Sequence, residues 1–308
     1  MVDELWVLSA DGSPEVRRSV AKNLHCPAIV LASLAEDDDI SVRRRVAWNY
    51  STSDRTLDKL AWEGDPVIRR RVARNISTLP ETLTRLASSD DASVRRLVAD
   101  HRQASLQTLL HLADDSERSV TVALARRQFP PIEIFGRMAG NRESFVRGCV
   151  AANQLTPVVV LQALSGDASF SVRNGLAGNP NTPTPILTRL SDDSEVHIRG
   201  KVALSPSTSI NCLSKLAKDK ESTVRGYVAH NRNTDAADLL RLSKDSEAHV
   251  RFMVMANEAA PHSVRAHLAR ENWEKELGVA TFYANHPDEP FWWVADPLKS
   301  NLQELLKE

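Results

Sequence analysis

The sequence predicts an all-α fold, an α-solenoid of ten or so two-helix repeats of 26 residues with no β-sheet. Three observations predict it. The string V-R-x-x-V-A-x-N begins at Val16, Val42, Ile68, Val94, Val120, Val146, Val172, Ile198, Val224 and Val250, in steps of 26 residues without an insertion. Counted from that first residue as position 0, the apolar residues fall at −11 and −8 and again at 0, +4 and +5. These are helical spacings, with none of the alternation of a strand. Each apolar segment is about two turns long, too short to be stable alone. Stacking against neighbours must supply the stability.

In chain order, residues 1–10 are a half repeat carrying Leu5 and Leu8, and ten full units follow to residue 271. The first segment of each unit holds Leu at −11 and −8, with Phe135 and Met138 as substitutes in the sixth unit. The second holds Val or Leu at +4 and Ala at +5, with Met255 as the exception. Thr156-Pro157 and Thr182-Pro183 read as an N-cap followed by Pro at N1, and Thr78-x-x-Glu81 reads as a capping box. Pro14 and Pro66 open second segments, with Ser13 and Asp65 as caps. Asn at +7 suits a C-terminal residue in the left-handed region. The fifth copy, Val120 to Arg127, loses Arg at +1, gains Arg126, Arg127 and Pro130-Pro131, and reads as a bend or seam. Residues 272–308 leave the register and contain Phe291-Trp292-Trp293. They read as a C-terminal cap over the last open apolar face, the other reading being an aromatic docking site or a dimer contact.

Of 308 residues 42% are apolar and 26% charged, with 39 Lys+Arg against 40 Asp+Glu. That apolar content can bury a core, which excludes wholesale disorder. No apolar run reaches the roughly 18 residues of a membrane span, and the N-terminus lacks the pattern of a signal peptide. Cys26, Cys149 and Cys212 are far apart and form no CxxC pair, against a disulfide framework or a cysteine-built metal site. The expectation is a cytoplasmic protein without membrane contact, cofactor or metal. No HExxH, P-loop, GxSxG or GxGxxG motif occurs, and acid pairs such as Asp38-Asp39 and Asp114-Asp115 recur at one repeat position. Structural turns distribute that way; a catalytic pair would be unique. No enzyme and no small-molecule substrate is expected.

The residues Val42-Arg43-Arg44-Arg45-Val46-Ala47-Trp48-Asn49, Thr182-Pro183 and Leu187-x-x-Leu190-Ser191-x-x-Asp193 resemble the leucine-rich repeat variant family over residues 1 to about 271. The V-R-x-x-V-A half is also similar to the second helix of bacterial HEAT-like repeats. The resemblance implies a right-handed superhelix of paired helices, one α and one tending to 3₁₀, with the second helices lining the concave face. Some members of the family carry an N-terminal cysteine cluster for an iron–sulfur centre, which this chain lacks. The resemblance carries no common activity.

The charges divide into two sets. Position +1 is Arg17, Arg43, Arg69, Arg95, Arg147, Arg173, Arg199, Arg225 and Arg251, with Thr121 as the exception. At about 100° per residue this position lies within the apolar stripe, where a charge needs a partner. Positions −5 and −3 are each acidic in eight of ten copies. An Arg–acid ladder joining adjacent repeats is therefore expected. Positions +2, +3 and +6 lie on the far side of the wheel. In the first four repeats they carry Arg18, Arg44, Arg45, Trp48, Arg70, Arg71, Arg74 and Arg96; later copies carry Gly148, Gly175, Gly178, Gly200 and Gly226. Those glycines suggest close approach by a neighbouring helix or a bound partner.

The functional expectation is a non-enzymatic binding scaffold for protein–protein interaction. It would present a partly basic groove, with the residues from Arg18 to Arg96 just named as contacts, to an acidic protein or peptide. Two other readings stay open: sequence-independent binding of a nucleic-acid backbone, and an accessory role in modifying another protein. An ordinary solvated face would show the same residues.

Overall fold

Each repeat folds into two short α-helices because its polar residues tie off helix ends while its apolar rows meet in the middle. The molecule is a computed structural model, and it describes residues 2–268. Every regular element among them is a helix. The described chain divides into two units after Val150. The first contains α1 (Val2–Leu8), α2 (Pro14–Lys22), α3 (Ala28–Leu34), α4 (Ile40–Trp48), α5 (Asp54–Leu60), α6 (Pro66–Arg74), α7 (Pro80–Leu86), α8 (Ala92–Asp100), α9 (Leu106–Leu112), α10 (Arg118–Arg126) and α11 (Ile132–Ala139). The division falls within α12 (Ser144–Ala152). The second contains α13 (Val158–Leu164), α14 (Phe170–Gly178), α15 (Thr184–Leu190), α16 (Val196–Leu204), α17 (Ile210–Leu216), α18 (Ser222–His230), α19 (Ala236–Leu242) and α20 (Ala248–Ala256). The C-terminal cap expected at 272–308 lies outside the described residues.

The core is the repeated apolar grid. In the second repeat Leu31, Leu34, Val42, Val46 and Ala47 are all buried, and the same rows are buried in the copies that follow. Each such Leu contributes about 1.5–3 kcal/mol by leaving water. Within the first unit α2 packs on α4, α4 on α6, α6 on α8 and α8 on α10; within the second, α14 packs on α16, α16 on α18 and α18 on α20. The second helices are the crowded row of each unit. Asp39, Asp65 and Asp91 cap them, accepting from the backbone N–H of Ser41, Ile68 and Ser93 at 2.7, 2.8 and 2.8 Å.

Four local expectations are corrected. Neither helix of a repeat is 3₁₀; both are α, as in α5, where Leu57 N–H donates to the Ser53 carbonyl and Ala61 N–H to the Leu57 carbonyl, four residues back, both at 2.9 Å. Three-residue spacing appears in the turn after it, where Glu63 N–H reaches the Leu60 carbonyl. The Thr-Pro step does not begin with a threonine cap. Pro183 itself is the N-cap residue of α15, and Thr182 is buried, its hydroxyl donating 2.7 Å back to the Leu176 carbonyl. Thr78 likewise donates to Val72, so Thr78–Glu81 is no capping box. Asn at +7 is not left-handed: Asn49 sits at φ −76°, ψ 126°, and no described non-glycine residue has positive φ.

The asparagines have another role. Asn49 Nδ2 donates to the backbone oxygens of Ala21 and Asn23, 2.9 and 2.8 Å away in the preceding repeat. Asn75, Asn179, Asn231 and Asn257 each reach the preceding repeat in the same way. Both oxygens lie at the C-terminal end of a helix, where intrahelical donors run out. In the fifth copy Arg127 takes the place, donating to the Ala99 and His101 oxygens. That copy therefore keeps its neighbour contact by a different donor.

Candidate partner-binding face

Most of the Arg residues at +1 are fixed by an acid in the turn of the next repeat. Arg17 Nε and Nη2 meet the two carboxylate oxygens of Asp37 at 2.6 and 2.8 Å. Arg95 with Asp115, Arg173 with Asp193, Arg199 with Asp219 and Arg225 with Asp245 repeat that bidentate pairing, and Arg43 reaches Glu63 by Nε at 2.9 Å. In each of these pairs the acid is at −5. In the aspartate rungs the carboxylate also accepts the N–H of residue −3, as Asp37 does from Asp39 at 2.9 Å. The Arg17 guanidinium holds the Asp37 carboxyl below its ordinary range. Arg251 donates to the backbone oxygens of Asp245 and Ser246. Arg147 donates to those of Asn141 and Arg142. Arg69 differs, because residue 89 is Ser.

The face formed by +2, +3 and +6 is less open than the wheel suggests. Second helices pack against one another, so Arg44, Arg45, Arg70 and Arg71 sit half-buried in the seams, whereas Arg18, Arg96 and the +6 residues Trp48 and Arg74 are exposed. Arg44 is held by Asp65 through Nε and Nη2, at 3.2 and 2.6 Å. Arg70 is held by Asp91 at 2.8 Å. Arg71 donates from Nη1 to the Arg44 carbonyl at 2.5 Å, and its guanidinium lies 6.0 Å from the Trp48 ring centre. Burial, then the nearby Arg45 and Arg44, push the Arg71 guanidinium below its ordinary value. Arg96 approaches Asp100 at 3.9 Å. Arg18, Arg45 and Arg74 form no ion pair among the described residues.

Sequence reasoning missed Tyr50. It follows the Asn at +7, outside the helix, so the wheel did not include it. It is 48% exposed against 37% for Trp48, and the two rings are 6.4 Å apart. The recurrence of Leu24 and Ile76 at the same +8 position, both exposed, was the available signal. Gly178 and Gly200 face side chains rather than a backbone: a Cβ on Gly200 would lie 3.0 Å from the Tyr227 ring, and one on Gly178 3.5 Å from Lys201 Nζ. Among the described residues no group of three His, Cys, Asp or Glu side chains could hold a metal. No described helix is long and apolar enough to cross a membrane.

Comparison with solved structures agrees with the fold. A structure titled "a leucine-rich repeat variant with a novel repetitive protein structural motif" matches 66% of this chain and 80% of its own, at 23% identity and a TM-score of 0.52. The chain shares that fold: consecutive helical repeats, stacked in order. An engineered protein aligns over 98% of both chains at 16% identity, but its TM-score of 0.31 adds nothing to the fold assignment. No family model matches the chain, and no curated protein does.

Proposed function

We propose that the protein is a non-enzymatic binding scaffold whose first unit holds an acidic segment of a partner protein on the face around Trp48. The observation that carries this reading is the exposed Trp48–Tyr50 pair, 6.4 Å apart, in the row of second helices that carries Arg18, Arg45 and Arg74. Aromatic and Arg side chains are the residue types that dominate binding energy at protein interfaces. Arg18, Arg45 and Arg74 have no ion pair to give up. Arg44 and Arg70 are already committed to Asp65 and Asp91. This leaves separate positive points rather than an unbroken track, which suits carboxylate side chains better than a phosphate backbone.

The test is fluorescence anisotropy with a labelled Glu- and Phe-containing peptide, a labelled DNA duplex and a labelled single strand, each at two salt concentrations. The expected result is peptide binding that weakens at least tenfold in Trp48→Ala and in Arg45→Ala/Arg74→Ala. Salt-steep binding of both nucleic acids that is lost in the arginine variant and kept in Trp48→Ala would instead favour a phosphate-binding face. Binding of none of the probes at low salt would remove this face as a binding site.

A further inference from the structure

We propose that the gap beside Arg69 is an oxyanion site, which takes one carboxylate or phosphoryl group in place of a carboxylate missing from the ladder. It lies at the N-terminal end of α6, whereas Trp48 closes the C-terminal end of α4, so it is independent of the face proposed above.

On either side the ladder is complete. Arg43 pairs with Glu63, and Arg95 with Asp115. Between them, the residue facing Arg69 from the next turn is Ser89. Ser89 preserves one of the acid's two contacts, because its hydroxyl accepts the Asp91 N–H at 3.3 Å, as Asp37 accepts that of Asp39. It cannot supply the other, which is to neutralise a guanidinium. Arg69 Nε is shielded from solvent and meets no hydrogen-bond partner. A buried donor without an acceptor is costly, more so when charged.

The missing side chain leaves space. A cavity of about 240 Å³ is lined by Trp62, Arg69, Arg85, Ser88, Ser89 and Asp90, among others. Arg85 lies over the Trp62 ring at 5.2 Å and pairs with Asp58, so it walls the cavity while its own charge is answered. Arg69 is the charge left over. The pairing of Arg95 with Asp115, Nε to one oxygen at 2.6 Å and Nη2 to the other at 3.0 Å, is the geometry proposed for an incoming group on Arg69. Two oxygens of one planar carboxylate, or two of a phosphoryl group, fit that fork. The Ser88 and Ser89 hydroxyls supply further donors. Asp90, also on the lining, adds a negative charge that keeps the affinity for a free anion modest.

The experiment is thermal unfolding of the full chain in N-acetylglutamate, in inorganic phosphate and in chloride, at matched ionic strength. Wild type is expected to gain about 2–4 °C in Tm over chloride with at least one of the two anions. Whichever anion acts identifies the group the site takes. Ser89→Asp supplies a tethered carboxylate, the residue other rungs use. It is expected to melt above Ser89→Asn, which has the same shape without charge, and to show no anion response. Arg69→Met is expected to lose the response as well. If neither anion raises the wild-type Tm above chloride, or if Ser89→Asp responds as wild type does, the proposal is overturned.

Discussion

His101 Nε2 lies 3.0 Å from the backbone oxygen of Asn75, at the repeat position where Asn49 and Asn75 each place an amide. The ring also accepts the Gln103 N–H at Nδ1, 3.2 Å away, just as Asn49 Oδ1 accepts the Ser51 N–H. This double use assigns the tautomer with the proton on Nε2. The imidazole is a buried substitute for a carboxamide.

A substitute that titrates makes stability depend on pH. Burial holds the His101 pKa below its ordinary 6.5. A histidine with a depressed folded pKa contributes stability that is present above 6.5 and is lost as pH falls through its folded value. Protonating Nδ1 would also set two donors against each other at Gln103. We expect the difference in urea midpoint between His101→Asn and wild type to grow in favour of the variant from pH 7 to pH 5. A constant difference across that range would show that His101 stays neutral for another reason, or that it is not enclosed.

Arg199 and Asp219 are the most enclosed rung among the described pairs, each side chain 8% exposed. Burial works to raise the Asp219 pKa, but the Arg199 hydrogen bonds and the Glu221 N–H outweigh it and hold the carboxyl low. Arg199 also donates to the Asp193 and Ser194 carbonyls. Replacing it by Met strands a carboxylate and two carbonyls, a loss of about 3 kcal/mol. Urea unfolding would read this as a lower midpoint, and Asp219→Asn in the same background should restore part of it. An unchanged midpoint in Arg199→Met would mean that the rung contributes no stability.

Gly200 is a third case where a neighbour decides the outcome. Gly to Ala inside a helix ordinarily gains about 1 kcal/mol. Here the added Cβ would meet the Tyr227 ring at 3.0 Å, tighter than normal contact. Gly200→Ala should therefore lower the thermal midpoint, and should raise it when made on a Tyr227→Ala background. A gain in both backgrounds would show that the ring gives way freely.

The period and the identity of the core rows were legible because each core residue recurs every 26 residues at helical spacing. The acids at −5 were legible as partners for Arg because a charge inside an apolar stripe must be answered. The bridging role of Asn49 was not legible. An asparagine after a helix has a common local explanation, and nothing in one repeat shows that its amide reaches carbonyls 26 and 28 residues back. The ion pairs of Arg44 with Asp65 and of Arg70 with Asp91 were not legible for a similar reason. A helical wheel describes one helix, and the seams that cover these residues belong to two.

The two ladders run in opposite senses. The carboxamides of Asn49 and Asn75 reach back to carbonyls already laid down, whereas Arg17 and Arg43 reach forward to Asp37 and Glu63. A cut between two stacked repeats would therefore expose unlike ends. One would carry bare carbonyls and guanidiniums, the other amides and carboxylates. Such ends complement each other but not themselves. Fragments within a unit should rejoin only head to tail, as polar pieces of one filament do, and two like ends should not pair.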